Sequence, residues 1–155
     1  MPSSKSKRSP AHLELAKFLP YQLSTLSNRV SSTIANAYQD KFSLSVTEWR
    51  IMAVLGEEEG LSADTVSQRT QVEKSLISRA LKRLIARNLV RRDTDLADAR
   101  KHCLRLSHTG IEIYEQIVPV SKQYEKTLFG CLSAAERTQF DKLINKVQAH
   151  IQNIE

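Results

Sequence analysis

Lys74, Ser75, Ser78, Arg79 and Lys82 set cations and hydroxyls about one helical turn apart within a single short stretch. Arginine and lysine can donate to guanine O6 and N7, and serine hydroxyls fit several base edges or phosphate oxygens. In the same stretch Ile77, Ala80, Leu81, Leu84 and Ile85 recur at helical spacing and are expected to face a core. A helix that buries one side and offers donors on the other suits the major groove of DNA. A solvated basic face is the plainer alternative for the same residues.

Farther along, Asp98 and Arg100 fall in a polar loop between two strand-like runs, 89–93 and 101–106. A narrow minor groove concentrates negative potential and attracts arginine. Asp98 cannot favour DNA through its charge. It could hold Arg100 or a neighbouring cation by a charge-assisted hydrogen bond, or simply form the turn. Arg83 and Arg87 extend the basic stretch and could contact phosphate or acids.

The elements that must position these groups are legible from caps and periodicity. Leu13, Phe18, Leu19, Leu23, Leu26, Val30 and Ile34 carry helical spacing, with Pro20 at the first turn of a long helix reaching about Tyr38. A separate short helix over 13–18 precedes it. Ser45 and Glu48 fit a capping box, and Leu44 and Trp49 a hydrophobic staple, ahead of a helix that stops in the segment 56–60. Ser62 caps a third helix to about Arg69, and the basic helix runs from near Glu73 to Asn88, a residue that tolerates the left-handed conformation of helix ends. Ser107 caps the next helix, which Pro119 is expected to kink without ending. Ser133 and Glu136 form a second capping box, opening a helix with Phe140, Leu143, Ile144, Val147, Ile151 and Ile154. The long apolar stripes at both ends need a partner, and a second copy of the chain is the simplest one.

The 155 residues make one domain's worth of chain, with a net charge of +6 and a pI near 9.5. The positive charge is concentrated: Arg69, Lys74, Arg79, Lys82, Arg83, Arg87, Arg91 and Arg92 share a stretch whose only acid is Glu73. The start, residues 1–10, reads as a disordered basic tail. No apolar run approaches membrane-spanning length, so no membrane partner is expected. Two cysteines make no disulfide framework, which implies a reducing cytoplasm, and both Cys103 and Cys131 read as packed, inert thiols. His102, Cys103 and His108 lack a structural-zinc pattern, so neither metal nor other cofactor is expected. There is no phosphate-binding glycine loop, H-E-x-x-H or G-x-S-x-G motif, and no paired-carboxylate site, so an enzyme is not indicated. A winged-helix module for protein–protein contact alone would have less reason to keep the Lys, Ser and Arg stripe.

Together the stretches LSVTEWRIMAVL, LSADTVSQRT, SLISRALKRLIARNLVRR and DLADARKHCLRLSHTG resemble the multiple antibiotic resistance regulator (MarR) family of bacterial transcription factors. Asn88 stands where the family usually has glycine, and Ser107 where it often has threonine. The resemblance implies a mainly α fold with a small β-hairpin wing, a winged helix-turn-helix with helical dimerisation arms. The expected organisation is N-terminal dimerisation helices over 11–40, a DNA-binding module over 41–106 and C-terminal dimerisation helices over 107–155. It further implies an interleaved homodimer, a near-palindromic double-stranded operator read in successive major grooves, and a cytoplasmic regulator, usually a repressor.

Family members commonly bind small aromatic carboxylates or phenols between the dimer helices and the winged module. Here Ser27, Asn28 and Arg50 could supply the polar part of such a site, although Arg50 could equally pair with an acid and Ser27 mark a close helix contact. The segment YQLSTLSNR is similar to relatives controlling aromatic-compound catabolism, which implies a hydroxycinnamate- or benzoate-type inducer. The family's peroxide-sensing branch, a redox-responsive alternative, carries its reactive cysteine in the first helix, where this chain has none.

Overall fold

A computed structural model describes residues 11–94, 96–98 and 100–155 of the chain. The expected basic tail over 1–10 lies outside the described residues. A 3-10 turn, Leu15–Lys17, leads into α1, Leu19–Ala35, with Pro20 in its first turn, where a missing N–H costs nothing. α1 stops short of Tyr38, and a four-residue helix α2, Gln39–Phe42, follows it. The break lets Ala35, Ala37 and Tyr38 turn inward and become buried.

α3, Val46–Glu57, begins with the complete capping box. Ser45 Oγ accepts from the Glu48 N–H at 3.1 Å, and Glu48 Oε2 accepts from the Ser45 N–H at 2.8 Å. α4, Ala63–Thr70, is capped by Ser62 and ends at Gln71 in the left-handed region. α5, Lys74–Ala86, ends with Asn88 at φ 55°, the conformation expected of that residue. Its inner face is sharply defined: Ile77, Ala80, Leu81 and Leu84 are buried, against Ile51, Met52, Leu55 and Val66 in one core. Ile85, expected in that core, is instead 37% exposed, because its place on the helix falls beyond the buried stripe.

β1, Val90–Thr94, and β2, His102–Leu106, form an antiparallel hairpin, with Val90 opposite Leu106 and Thr94 opposite His102. Leu89, Val90, Leu104 and Leu106 close the core from below. Leu61 adds an isolated bridge to Leu104, so the segment before α4 becomes a rudimentary third strand, a pairing that periodicity does not reveal. α6, His108–Leu128, is continuous through Pro119, and α7, Ala134–Ile154, starts at the second capping box.

The start of α6 is fastened to the end of α5. Ser107 Oγ donates to the Asn88 carbonyl at 2.5 Å and accepts from the Gly110 N–H at 2.9 Å, while the Ser107 N–H donates to the Leu89 carbonyl. A Cβ on Gly110 would lie 2.0 Å from the Leu89 oxygen, so this crossing requires glycine. The outer helices are different in character. α7 buries none of its residues, and Leu143, Ile144, Val147 and Ile151 all stand exposed, as do Leu19, Leu23 and Leu26 of α1. No helix among the described residues is long and apolar enough to cross a membrane.

Candidate nucleic-acid interface

α5 separates its basic residues into two sets. Arg83 turns back toward α3, where its Nε donates to Glu48 Oε1 at 2.7 Å. Burial raises the Glu48 carboxyl, but the Arg83 hydrogen bond and charge, with the Ser45 N–H, outweigh it and hold the group below the usual carboxylate range. Arg87 donates to the Ser43 and Phe42 carbonyls, satisfying the C-terminal end of α2. Both arginines are therefore committed inside the fold. Arg83 contacts an acid, and Arg87 contacts two backbone carbonyls.

The second set faces water. Ser78, Arg79 and Lys82 are exposed and their side chains have no partner among the described residues. Lys74 makes a 3.0 Å ion pair with Asp64 in which both side chains are largely exposed, and Ser75 Oγ donates to Glu73. Such a surface pair is worth little and can be exchanged for another anion. The five residues thus share a solvent face, and its free donors are Ser78, Arg79 and Lys82.

At the loop of the hairpin, Asp98 accepts the Arg100 backbone N–H at 3.0 Å, and the Asp98 carbonyl accepts from the Lys101 N–H. Of its two expected roles Asp98 takes the turn-former's. Among the described residues its carboxylate makes no ion pair with the Arg100 side chain. Arg100 stays exposed. At the base of the hairpin Arg91 and Arg105 are directly opposed, and Asp93 lies between them at 3.3 and 3.4 Å. Glu59 takes the second Arg105 contact at 3.0 Å, and Glu57 and Glu58 both pair with Arg69. The acidic run at the end of α3 therefore neutralises structural arginines.

Of Ser27, Asn28 and Arg50, expected to line a ligand site, no two are joined by a hydrogen bond among the described residues. Arg50 is half-buried and donates to Ser31 at 3.1 Å, whereas Ser27 and Asn28 are exposed on α1. Ser31 is a partner of Arg50 that sequence reading did not single out, and its position four after Ser27 on the same helix was the available signal. Beside Arg50, Tyr38 stacks on Trp49 at 5.6 Å between ring centroids, and Trp49 meets Tyr114 at 5.8 Å. Burial raises the Tyr38 hydroxyl's pKa, with the Arg50 charge opposing it. Cys103 is buried in β2, but Cys131, expected to be packed, is exposed in the turn between α6 and α7. Among the described residues no three His, Cys, Asp or Glu side chains group as a metal site.

A buried three-helix core, a basic exposed helix and a charged hairpin define a winged helix-turn-helix of the kind that binds DNA. The MarR family model matches residues 42–101. Over 104 residues the chain is 26% identical to the transcriptional regulator HosA of Escherichia coli O157:H7, covering 67% of this chain and 77% of that one. It is 31% identical over 78 residues to the transcriptional repressor NicR of Pseudomonas putida, covering 50% of this chain and 49% of NicR. A MarR/EmrR family regulator from Acinetobacter sp. ADP1 superposes with a TM-score of 0.83 at 26% identity, covering 91% of this chain and 99% of the other. Bordetella bronchiseptica BpsR, whose DNA binding is regulated by 6-hydroxynicotinic acid, matches at 0.77 and 24% identity over 90% of this chain and 98% of its own. Over residues 42–101 in sequence, and over most of its length in fold, the chain is similar to MarR-family winged-helix transcriptional regulators.

Proposed function

We propose that the protein is a ligand-responsive repressor that binds a near-palindromic operator as a homodimer and is released by a small aromatic acid. The carrying observation is the division of charge on α5: Arg83 and Arg87 are consumed by the fold while Ser78, Arg79 and Lys82 stay free on one exposed face. In this reading Lys74, Ser75, Ser78, Arg79 and Lys82 enter the major groove, and Arg100 on the wing reaches the adjoining minor groove. Asp98 supports the wing by fixing its turn. The exposed apolar faces of α1 and α7 are the parts of each arm that a second copy covers.

Arg50 and Ser31, with Ser27 and Asn28 nearby on α1 and the Tyr38–Trp49 stack beside them, form the effector end of the site. An aromatic carboxylate suits one cation, a few hydroxyl or amide groups and an aromatic wall. The regulation of BpsR by 6-hydroxynicotinic acid supports an acid of that shape, and the name of NicR supports repression. The regulated genes are then a catabolic operon for hydroxycinnamate- or benzoate-type compounds. Ligand at the junction of arm and module shifts the population toward dimers whose two α5 helices are wrongly spaced for the operator. The test is capture of genomic DNA by the full chain, followed by elution with benzoate, 4-hydroxycinnamate or 6-hydroxynicotinate. One discrete set of fragments released by one of these acids is expected. Recovery of random fragments, or of fragments that none of the acids releases, would count against the reading.

A further inference from the structure

Leu76 is the more exposed of the two large apolar residues that α5 leaves outside the core, the other being Ile85 near its C-terminal end. Every other leucine on that helix, Leu81 and Leu84, is at most 1% exposed, as are Ile77 and Ala80, whereas Leu76 is 43% exposed. It sits in the first turn, its N–H bonded to the Glu73 carbonyl, so its backbone is fixed. Helical side chains lean toward the N-terminus, which puts Leu76 over the leading end of α5. It lies three residues before Arg79 and next to Ser75, at the edge of the free donor face. Beyond Leu96 in the hairpin loop and Ile85 near the end of α5, the other exposed large apolar residues lie on α1, α6, α7 and the segment leading into α1. The arms cannot account for Leu76, which belongs to the module.

Resting on the DNA-binding reading above, we propose that Leu76 is a specificity-determining residue that contacts the C5-methyl of a thymine in each half-site. In the major groove the thymine methyl is the apolar group that a base edge presents, and the first turn of a groove-bound helix is the part nearest the base edges. A leucine facing phosphates would lose water without a partner, since backbone oxygens offer it nothing. A methyl group returns the apolar contact that its exposure forgoes. Because Leu76 and Arg79 are neighbours one turn apart, the thymine lies beside the base pair that Arg79 reads. The preference is thus an adjacent thymine and guanine, one recognised by shape and apolar contact and the other by hydrogen bonds.

The experiment is an operator selected from random duplex DNA by the full-length chain, then resynthesised with deoxyuridine in place of each thymine in turn. Uracil pairs as thymine does and lacks only the methyl. Wild-type protein should lose about fourfold affinity per half-site at one thymine position, the factor that burial of a single methyl-sized group supplies. Leu76→Ala should bind the thymine and uracil operators equally, with an unchanged salt slope because its phosphate contacts remain. Its melting temperature should match the wild type, since the side chain is outside the core. Equal uracil penalties in wild type and L76A, or none in either, would overturn the assignment. Failure of the wild type to select any sequence would instead overturn the DNA-reading function itself, and the Leu76 role with it.

Discussion

At the scale of single residues, what distinguishes the arginines of this chain is whether something inside the fold has already claimed them. Arg69, Arg83, Arg87, Arg91 and Arg105 all have internal partners, so their charges are spent on geometry. The side chains of Arg79 and Arg100 have none among the described residues, and their loss should leave stability unchanged while altering DNA binding in different ways. Arg79→Ala is expected to cost about 1–3 kcal/mol of discrimination between operator and random DNA. Arg100→Ala should weaken both and reduce the slope of log affinity against log salt by about one phosphate-equivalent. Titration on both DNAs at several salt concentrations separates the two, and equal losses on both DNAs for R79A would demote that side chain to a phosphate contact.

Glu48 gives a residue-scale prediction about pH. Its folded carboxyl titrates below the ordinary value, so it stabilises the fold above the unfolded carboxylate's pKa of about 4.3. That contribution disappears as pH falls through the lowered folded value. Glu48→Gln should therefore destabilise the protein by about 1–2 kcal/mol at neutral pH and show a shallower loss of stability on acidification. Thermal melts from neutral pH downward measure this, and parallel acid limbs for the two proteins would contradict it.

At the scale of elements, the notable construction is the join between α5, the hairpin and α6. The chain leaves α5 at Asn88, runs out along β1, returns along β2, and Ser107 then fastens it back to the point of departure. The wing is consequently a closed loop with a fixed base, and its tip is aimed by the end of the helix it accompanies. Gly110 is what permits the crossing, because a side chain there would strike the Leu89 carbonyl. Gly110→Ala is expected to destabilise the fold by about 3 kcal/mol, the backbone being the part that must yield. Denaturant melts give the answer, and a loss under about 0.5 kcal/mol would mean that the join tolerates spreading. Ser45–Glu48 does comparable work on α3: one carboxylate caps that helix and also holds α5.

At the scale of the whole molecule, the core and the exposed apolar surface occupy different regions. The core is drawn from α3, α4, α5, the hairpin, the end of α1 with the segment that follows it, and Ile117 in the middle of α6, while α7 contributes nothing buried. A helix of 21 residues with an uncovered apolar stripe is stable only against another surface. In the homodimer proposed above that surface belongs to the second copy. Val147→Glu, in the middle of the α7 stripe and 51% exposed here, should convert dimers to monomers and abolish operator binding. Sedimentation at matched concentrations would show it, and an unchanged sedimentation coefficient would place the interface elsewhere.

Much of this architecture follows from local signals that need no tertiary information. Ser45 with Glu48, Ser133 with Glu136, Ser62, Ser107 and Asn88 each mark a helix end through a hydrogen bond or a backbone preference that spans at most three residues. The donor stripe of α5 is equally local, since it depends only on helical spacing. Spacing could not say which cations were free. Arg79 and Arg83 look alike in the chain, and only the approach of Glu48 across 35 residues of sequence separates them. The same holds for Ile85, which helical spacing assigns to the core and the fold leaves 37% exposed, and for Asp98, whose carboxylate accepts the Arg100 backbone N–H. Caps and periodicity are decided within one or two turns. The pairing of charges and the covering of faces are decided by elements far apart in sequence, and these exist as neighbours only once the chain has folded.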